Sequence, residues 1–307
     1  MGGYFRTFIL LAALTAIFGA AGYAIGGAGG AVLALLVAAG MNLFAWWGSA
    51  GMVLRMQNAQ PVTEAEAPRL YAMTRRLSER AGIPMPALYV IHEDQPNAFA
   101  TGRGPSNAAV AVNSGLIDLM DERQVAGVVA HELAHIKNRD TLVMSIAATL
   151  SGAIGMLAQF GGMFAARGRD GQRGSPIGAI LLMILGPIAA AIVQMAISRA
   201  REYEADREGA AICGDPEWLA GALERLEGYK TRAVNEGAEA NPAMAHMFII
   251  NPLAGGGLRG LFTTHPATGE RVARLRAMRP TGGVMLDAAP GPAPSPWAVP
   301  GRTNPWA

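Results

Sequence analysis

The sequence predicts a mainly α-helical membrane protein with transmembrane helices and a separate α+β domain that contains a small β-sheet. Of its 307 residues, 51% are apolar and only 16% are charged, and its mean hydropathy is positive. These values are unusual for a soluble globular domain. Long segments without Asp, Glu, Lys or Arg alternate with segments of ordinary polar composition. We therefore expect apolar helices in a lipid bilayer and a folded domain in water.

Charge and cysteine content exclude some classes of protein. The net charge is only +2, and the basic residues are scattered along the chain, so a nucleic-acid partner is not expected. Cys213 is the single cysteine, so the chain forms no internal disulfide and does not need an oxidising compartment to fold.

The first apolar segment predicts an N-terminal transmembrane helical hairpin over residues 1–56. No charged residue occurs from Thr7 to Leu54, and the glycine-rich stretch Gly26–Gly30 divides this run into halves long enough to span. Trp46 and Trp47 lie where an aromatic belt is expected. A cleaved signal peptide is the alternative, because a basic residue precedes the first apolar run; the second apolar run argues against it.

The segment 57–140 has ordinary polar composition and is expected to form the first part of the folded domain. The apolar spacing in Glu64–Ala81 predicts an amphipathic helix. Asp121 and Gln124 resemble a capping box, which opens a helix that we expect to continue through Asp140. Short strands are predicted at Ala87–Ile91, Ala98–Thr101 and Ala108–Val112.

The rest of the chain divides into three parts. Residues 141–198 contain two uncharged runs, which either span the membrane or form a hairpin associated with it. Residues 199–279 form the second part of the folded domain, and residues 280–307 form a disordered tail rich in Pro, Gly and Ala. Helices are predicted near Arg199–Ile212, Pro216–Tyr229 and Ala267–Met278.

One motif in the first polar segment carries chemistry. His131 and His135 flank Glu132 in the pattern H-E-x-x-H, on a helix that has its own start signal. A spacing of four places both imidazoles on one helix face, where they can bind one zinc ion, while Glu132 reaches the water on that metal. This arrangement predicts hydrolysis of a peptide bond, with Glu132 as general base.

A catalytic zinc ion needs a third protein ligand. Glu202 and Asp206 are spaced E-x-x-x-D and share one face of a predicted helix. We expect Glu202 to bind the metal, and Asp206 to accept a hydrogen bond from a zinc-bound histidine. Taken alone, this cluster is typical of a solvated charged face, and the upstream H-E-x-x-H motif favours the metal site.

Four motifs together resemble a known family. HELAHIKNRD begins at His131, SRAREYEAD begins at Ser198, NAFATG spans Asn97–Gly102, and THPATGER spans Thr264–Arg271. In this order they resemble the bacterial HtpX-type heat-shock metalloproteases, which are relatives of the CAAX prenyl proteases. The resemblance covers about residues 1–278 and leaves out the C-terminal tail.

The resemblance implies a zincin-like α+β metalloprotease domain of the gluzincin type with one Zn²⁺ per chain. Glu202 is then the third ligand, Glu132 the base, and Asp206 the partner of a zinc-bound histidine. His265 corresponds to a histidine that stabilises the tetrahedral oxyanion, and capping of the last helix is the alternative role for it. An edge strand that binds an extended substrate corresponds to Asn97, Ala98, Phe99 and Ala100.

The resemblance also implies a location and a task. We expect a multi-pass protein in the cytoplasmic (inner) membrane of a bacterium, where it degrades misfolded or damaged membrane proteins during stress. Its partners are then the lipid bilayer and protein or peptide substrates, mainly membrane proteins, and its oligomeric state is left open. Basic residues near the ends of spans prefer the cytoplasmic side, and a catalytic domain that faces the cytoplasm is favoured by Arg6, Arg55, Arg69, Arg75 and Arg76. Two later spans would require translocation of Arg167, Arg169 and Arg173, which argues against them.

Two rival classes are weighed against this interpretation. An intramembrane site-2-type protease carries H-E-x-x-H inside an apolar span, whereas charged residues closely flank the motif here. A zinc-binding pseudoenzyme is expected to lack Glu132 or the third ligand, and this sequence retains both.

Overall fold

The computed structural model describes residues 3–146, 199–230, 248–250 and 266–282. Within them, four strands and seven α-helices have defined bounds. The strands are β1 (Gln60–Pro61), β2 (Ala87–Ile91), β3 (Ala98–Gly102) and β4 (Ala108–Asn113). The helices are α1 (Gly3–Met56), α2 (Pro68–Ala81), α3 (Ser114–Leu119), α4 (Glu122–Lys137), α5 (Arg199–Cys213), α6 (Pro216–Lys230) and α7 (Thr268–Arg276).

Helix α1 reverses its direction within the apolar N-terminal segment. The side-chain amide of Asn42 donates a hydrogen bond to Thr15 Oγ1, with a donor–acceptor distance of 2.8 Å. In a straight helix these residues would lie roughly 40 Å apart. Gly27 lies between them with a φ of 59°, a left-handed conformation that suits glycine and breaks the helical path. The part Gly27–Met56 is long and apolar enough to cross a membrane.

The four strands form one mixed sheet in the order β1-β2-β4-β3. Strands β2 and β4 pair in parallel, and β3 pairs antiparallel with β4, with Ala100 opposite Val110. This register leaves β3 at one edge of the described sheet. The three longer strands match the predicted ones, and β3 and β4 each extend one residue further.

The predicted helix Glu64–Ala81 begins later than expected, at Pro68. The carboxylate of Glu66 accepts hydrogen bonds from the backbone amide and the hydroxyl of Thr63, which closes a turn before the helix. Pro68 at the first helical position has a fixed φ that suits the start of a helix. Gly82 ends the helix in the left-handed conformation.

Helix α4 is the central helix of the domain. The capping box predicted at its start is present, with reciprocal hydrogen bonds between Asp121 and Gln124. Every residue from Val125 to Ile136 is buried, so this part of the helix is enclosed on all sides and has no solvent-exposed face. Its neighbours include α2, α5, α6 and β3.

Helix α4 ends at Lys137, so the prediction that it continues through Asp140 is wrong. Arg139 has a φ of 59°, and its backbone amide donates to the carbonyl of Ile136. The amide of Asp140 donates to the carbonyl of His135. This pair of hydrogen bonds is a Schellman motif, which stops the helix and starts a new helical segment at residues 141–146.

Several predicted segments lie outside the described residues. These are most of the second apolar region, at 147–198, most of the loop Asn235–Gly260, and the greater part of the C-terminal tail.

Close packing of α4 against α6 gives a prediction about stability. A Cβ atom added at Gly127 would lie 2.6 Å from the backbone nitrogen of Leu219, whereas one added at Gly228 meets open space. We expect Gly127→Ala to lower the free energy of unfolding by about 1–3 kcal/mol, because the backbones must separate. Gly228→Ala, the matched control on α6, is expected to leave it unchanged or raise it slightly.

Denaturant unfolding of the detergent-solubilised full chain measures both variants. Equal stability of Gly127→Ala and Gly228→Ala would contradict the close approach of the two helices.

Candidate metal centre

Two helices bring three side chains that could hold a metal ion to one buried point. Helix α4 supplies His131 and His135, one turn apart, and the first turn of α5 supplies Glu202. Their ligand atoms all lie within 4.8 Å of one another. The three residues are at most 4% exposed, so water does not surround this cluster.

The separations of the ligand atoms fit a tetrahedral metal ion. The Nε2 atoms of His131 and His135 lie 3.2 Å apart. Glu202 Oε2 lies 3.8 Å from Nε2 of His131, and Oε1 lies 3.6 Å from Nε2 of His135. Ligands about 2.0–2.1 Å from a tetrahedral zinc ion lie roughly 3.3 Å from each other. Two imidazoles and one carboxylate are a typical donor set for catalytic zinc.

A glycine allows α5 to reach this point. A Cβ atom added at Gly209 would lie 2.9 Å from both the Cα and the backbone nitrogen of His131. Any larger residue at this position would move α5 away from α4 and would increase the distances between Glu202 and the imidazoles.

The imidazole of His131 is held by a buried ion pair. Its Nδ1 atom lies 3.0 Å from Asp206 Oδ1. Arg271 on α7 binds both oxygens of Asp206, at 2.8 Å and 2.6 Å, and also donates to the carbonyl of Ile249. A carboxylate at Nδ1 fixes the tautomer that presents the Nε2 lone pair to a metal. Arg271 therefore joins α7 and residues 248–250 to the histidine.

Asp140 lies on the far side of His135. Its Oδ2 atom is 3.5 Å from His135 Nδ1, and its Oδ1 atom is 3.7 Å from Nη1 of Arg201 on α5. Asp140 and Arg201 are 4% and 8% exposed. Each histidine of the centre therefore has a carboxylate beside Nδ1 and an arginine beside that carboxylate.

The buried charges at the centre favour a divalent cation. Four buried carboxylates face two buried guanidinium groups here, so two negative charges remain uncompensated when the carboxylates are ionised and the imidazoles neutral. Burying uncompensated charge is costly, and a metal dication removes the excess. The carboxylates are Glu132, Asp140, Glu202 and Asp206, and the guanidinium groups are Arg201 and Arg271.

The pKa values follow from these charges. Burial raises the pKa of Glu132, and the negative charge of Glu202 adds to this effect. Burial lowers the pKa of His135, but its bond to Asp140 and the charges of Glu202 and Glu132 outweigh this and raise the pKa to about 9. Burial also opposes ionisation of Asp206, but the charge of Arg271 dominates and lowers the pKa of that carboxyl. Protons and arginines thus balance the carboxylates when no metal ion does.

Glu132 lies between the metal-binding cluster and the edge strand β3. Its Oε2 atom accepts a hydrogen bond of 2.8 Å from the backbone amide of Ala100. The carbonyl of Asn97, directly before β3, accepts a hydrogen bond from the amide of Asn113 in β4. Alternate residues of β3, including Ala98 and Ala100, therefore direct their amides and carbonyls away from β4. The side chains of β3 are buried.

The structure brings together most of the site residues predicted from the sequence. His131, His135 and Glu202 converge, Asp206 contacts His131, and Glu132 contacts the strand predicted to bind substrate. His265 lies outside the described residues. Sequence reasoning left the role of Arg271 open and missed Asp140 and Arg201, which belong to the same motifs as the ligands; only their burial beside the imidazoles distinguishes them from solvated charges.

Several known proteins are similar to this chain. The crystal structure of S. mikatae Ste24p is similar with a TM-score of 0.45 and 18% identity, over 78% of this chain and 57% of that one. The protease HtpX homolog of Methylibium petroleiphilum is 55% identical over 90% of this chain and 97% of its own length. That of Ralstonia pickettii is 54% identical over 92% and 99%. Residues 64–279 match the model of peptidase family M48. This chain therefore belongs to peptidase family M48, and it is a metalloprotease.

Proposed function

We propose that this protein is a membrane-bound, zinc-dependent endopeptidase that hydrolyses misfolded or damaged membrane proteins as part of a stress response. One observation carries the proposal: a buried cluster of His131, His135 and Glu202 lies beside Glu132, whose carboxylate bonds to an edge strand. Metal ligands, a base and a peptide-binding edge are the three parts that hydrolysis of a peptide bond requires.

Zinc is the metal we propose for this centre. His131, His135 and Glu202 would hold the ion, and Asp206 would hold the first of these histidines in the required tautomer. When bound, zinc lowers the pKa of a water ligand to about 7 and polarises the carbonyl of the scissile bond. The mixed nitrogen and oxygen donors suit zinc better than magnesium or calcium, which prefer oxygen ligands alone.

Glu132 is the proposed general base. It follows His131 directly on α4, and burial raises the pKa of its carboxyl, so its carboxylate is a stronger base than an exposed one. Glu132 would take a proton from the attacking water and would then give that proton to the leaving amine. The hydrogen bond from Ala100 holds the carboxylate at the edge strand in the meantime.

The proposed substrate site is the edge of β3, at Asn97, Ala98, Phe99 and Ala100. An extended peptide can pair with the outward amide and carbonyl of Ala98 and with the carbonyl of Ala100 as an added strand, while the Ala100 amide stays bonded to Glu132. This pairing recognises the main chain, so it suits a protease whose substrates share an unfolded state more than a sequence. At the far end of β3, Ser145 Oγ lies 3.4 Å from the amide of Gly102 and marks one end of this edge.

His265 is proposed to stabilise the oxyanion of the tetrahedral intermediate. It directly precedes Pro266 and α7, and Arg271 on α7 contacts both Asp206 and the proposed ligand Glu202. The attachment of α7 to the centre supports a role for a donor at its N-terminal side.

The membrane part of the proposal rests on α1. Large apolar side chains are exposed along this helix, including Phe8 at 68%, Leu36 at 67% and Trp47 at 61%. Exposed apolar surface of this extent, on a helix long and apolar enough to span a bilayer, supports contact with lipid. We propose that the protein is a multi-pass protein of the bacterial inner membrane, that α1 crosses it twice, and that the catalytic domain faces the cytoplasm.

The role of Glu132 gives the first functional prediction. Glu132→Gln is expected to retain bound zinc and to lower the rate of casein cleavage roughly 100- to 10,000-fold, because the amide cannot accept the proton. Glu122→Gln, on the first turn of the same helix, is the matched control and should cleave like the unmodified chain. Cleavage by Glu132→Gln at the rate of the control would refute the assignment of the base.

The identity of the third ligand is tested by metal content. Glu202→Ala is expected to reduce zinc from about one ion per chain to well below that after purification, because a catalytic zinc site needs three protein ligands. Glu204→Ala removes an exposed glutamate from the same helix and should retain the metal. Atomic emission spectroscopy before and after chelation and zinc addition measures both variants. Full zinc content in Glu202→Ala would move the third ligand elsewhere.

Orientation is tested with engineered cysteines, because Cys213 is buried. Ala72→Cys on α2 and Gly29→Cys near the reversal of α1 both introduce exposed thiols. In intact spheroplasts, a membrane-impermeant maleimide is expected to label Gly29→Cys and not Ala72→Cys, and to label both after lysis. Labelling of Ala72→Cys in intact spheroplasts would place the catalytic domain outside the cytoplasm, and no labelling of Gly29→Cys would contradict the double crossing.

A further inference from the structure

The two histidines of the centre have similar surroundings that come from different parts of the chain. His131 is held by Asp206 and Arg271, which lie on α5 and α7. His135 has Asp140 and Arg201 beside it. The first pair includes a motif residue predicted from the sequence, whereas the second pair has no role in the proposed function above.

The backbone brings Asp140 to His135 in a specific way. The amide of Asp140 donates to the carbonyl of His135, so the two residues are joined by a main-chain bond as well as by the side-chain contact. This geometry requires the left-handed conformation of Arg139, which is unfavourable for a large residue. Strained backbone of this kind persists where the surrounding structure holds it, often at functional sites.

Because Asp140 and Arg201 are buried, their contact is not a solvent-exposed surface ion pair. The side chains of Asp140 and Arg201 are 6% and 9% exposed, and Asp140 Oδ1 lies 3.7 Å from Arg201 Nη1. Arg201 directly precedes Glu202 on α5, so it enters the centre from the same helix turn as the third proposed ligand. Burying these two charges is energetically costly, so we expect them to have a function in the centre.

We propose that Asp140 and Arg201 are positioning residues that hold the imidazole of His135 for the metal, with Arg201 acting through Asp140. Asp140 faces Nδ1 of His135 and thereby keeps Nε2 free to bind the metal. Arg201 faces the other oxygen of Asp140 and fixes the orientation of the carboxylate. This inference rests on the metal centre of the proposed function.

Asp140 and Arg201 lie on opposite sides of the apolar segment in the sequence. Asp140 directly precedes residues 141–198, and Arg201 follows that segment by a few residues. Their contact joins the two ends of the segment beside the metal centre. The orientation of His135 therefore depends on how the chain enters and leaves the apolar region.

Metal affinity of the detergent-solubilised full chain tests the proposal. We expect Asp140→Ala to weaken zinc binding at least about tenfold in competition with a chelator, as loss of such partners does in other metal sites. Arg201→Gln should weaken it less, and the double variant no more than Asp140→Ala alone, because Arg201 acts through Asp140. Arg201→Lys should restore part of the loss.

A spectroscopic signature separates positioning from a general loss of stability. Cobalt(II) in place of zinc gives visible absorption bands that depend on ligand geometry. We expect these bands to shift in Asp140→Ala and Arg201→Gln, and to stay unchanged in the exposed controls Asp118→Asn and Arg199→Gln. If Asp140→Ala does not fold, Asp140→Asn and Arg201→Gln carry the same test.

Three outcomes would overturn the inference in whole or in part. If Glu202→Ala loses the metal while Asp140→Ala keeps the zinc affinity and cobalt spectrum of the unmodified chain, then Asp140 does not position His135, and the proposed function stands. Additive effects of the two substitutions would remove the role of Arg201. If Glu202→Ala also keeps the metal, the proposed metal centre itself is wrong, and the inference fails with it.

Discussion

The burial of four carboxylates around two histidines is the constraint on which the rest of this structure depends. Each buried carboxylate needs a compensating charge or donor, because its removal from water is costly. Arg271 is fully buried for this reason and binds Asp206 through two hydrogen bonds. The remaining negative charge favours a dication at this point. Thus the metal centre and the placement of α7 have the same electrostatic cause.

The close packing of helix α4 against its neighbours also sets the geometry of the candidate metal centre. Helix α4 is buried on all sides, so its neighbours must approach it closely wherever they contact it. Gly209 permits this approach at His131, and Glu202 lies two turns earlier on the same helix. The backbone separation of α4 and α5 therefore sets the distances between the carboxylate and the two imidazoles. A glycine that binds nothing itself thus determines whether His131, His135 and Glu202 lie close enough to share one ion.

Local signals made much of the fold predictable. The capping box at Asp121, the short strands and the H-E-x-x-H spacing are encoded within a few residues, so the sequence predicts them directly. The end of helix α4 was not predictable from a local pattern. Arg139 adopts a left-handed conformation there that its residue type does not signal. The charged cluster at Arg201 also resembles a solvated face, and only tertiary contacts bury it. Its partner Asp140 is distant in sequence, so no local pattern could reveal the pair.

The two histidines differ in how tightly they are held, and their partners come from different parts of the chain. The carboxylate beside His131 lies at 3.0 Å and is bound by Arg271 at 2.6–2.8 Å, through residues of the described C-terminal helices. The corresponding separations beside His135 are 3.5 Å and 3.7 Å, and they involve residues on both sides of the segment 141–198. These separations exceed the usual range of about 2.7–3.2 Å for an N–H···O hydrogen bond, so Asp140 and Arg201 hold His135 less tightly than Asp206 and Arg271 hold His131. His131 is therefore held by the core of the domain, whereas the proposed ligand His135 is held less tightly, by residues that flank the apolar segment.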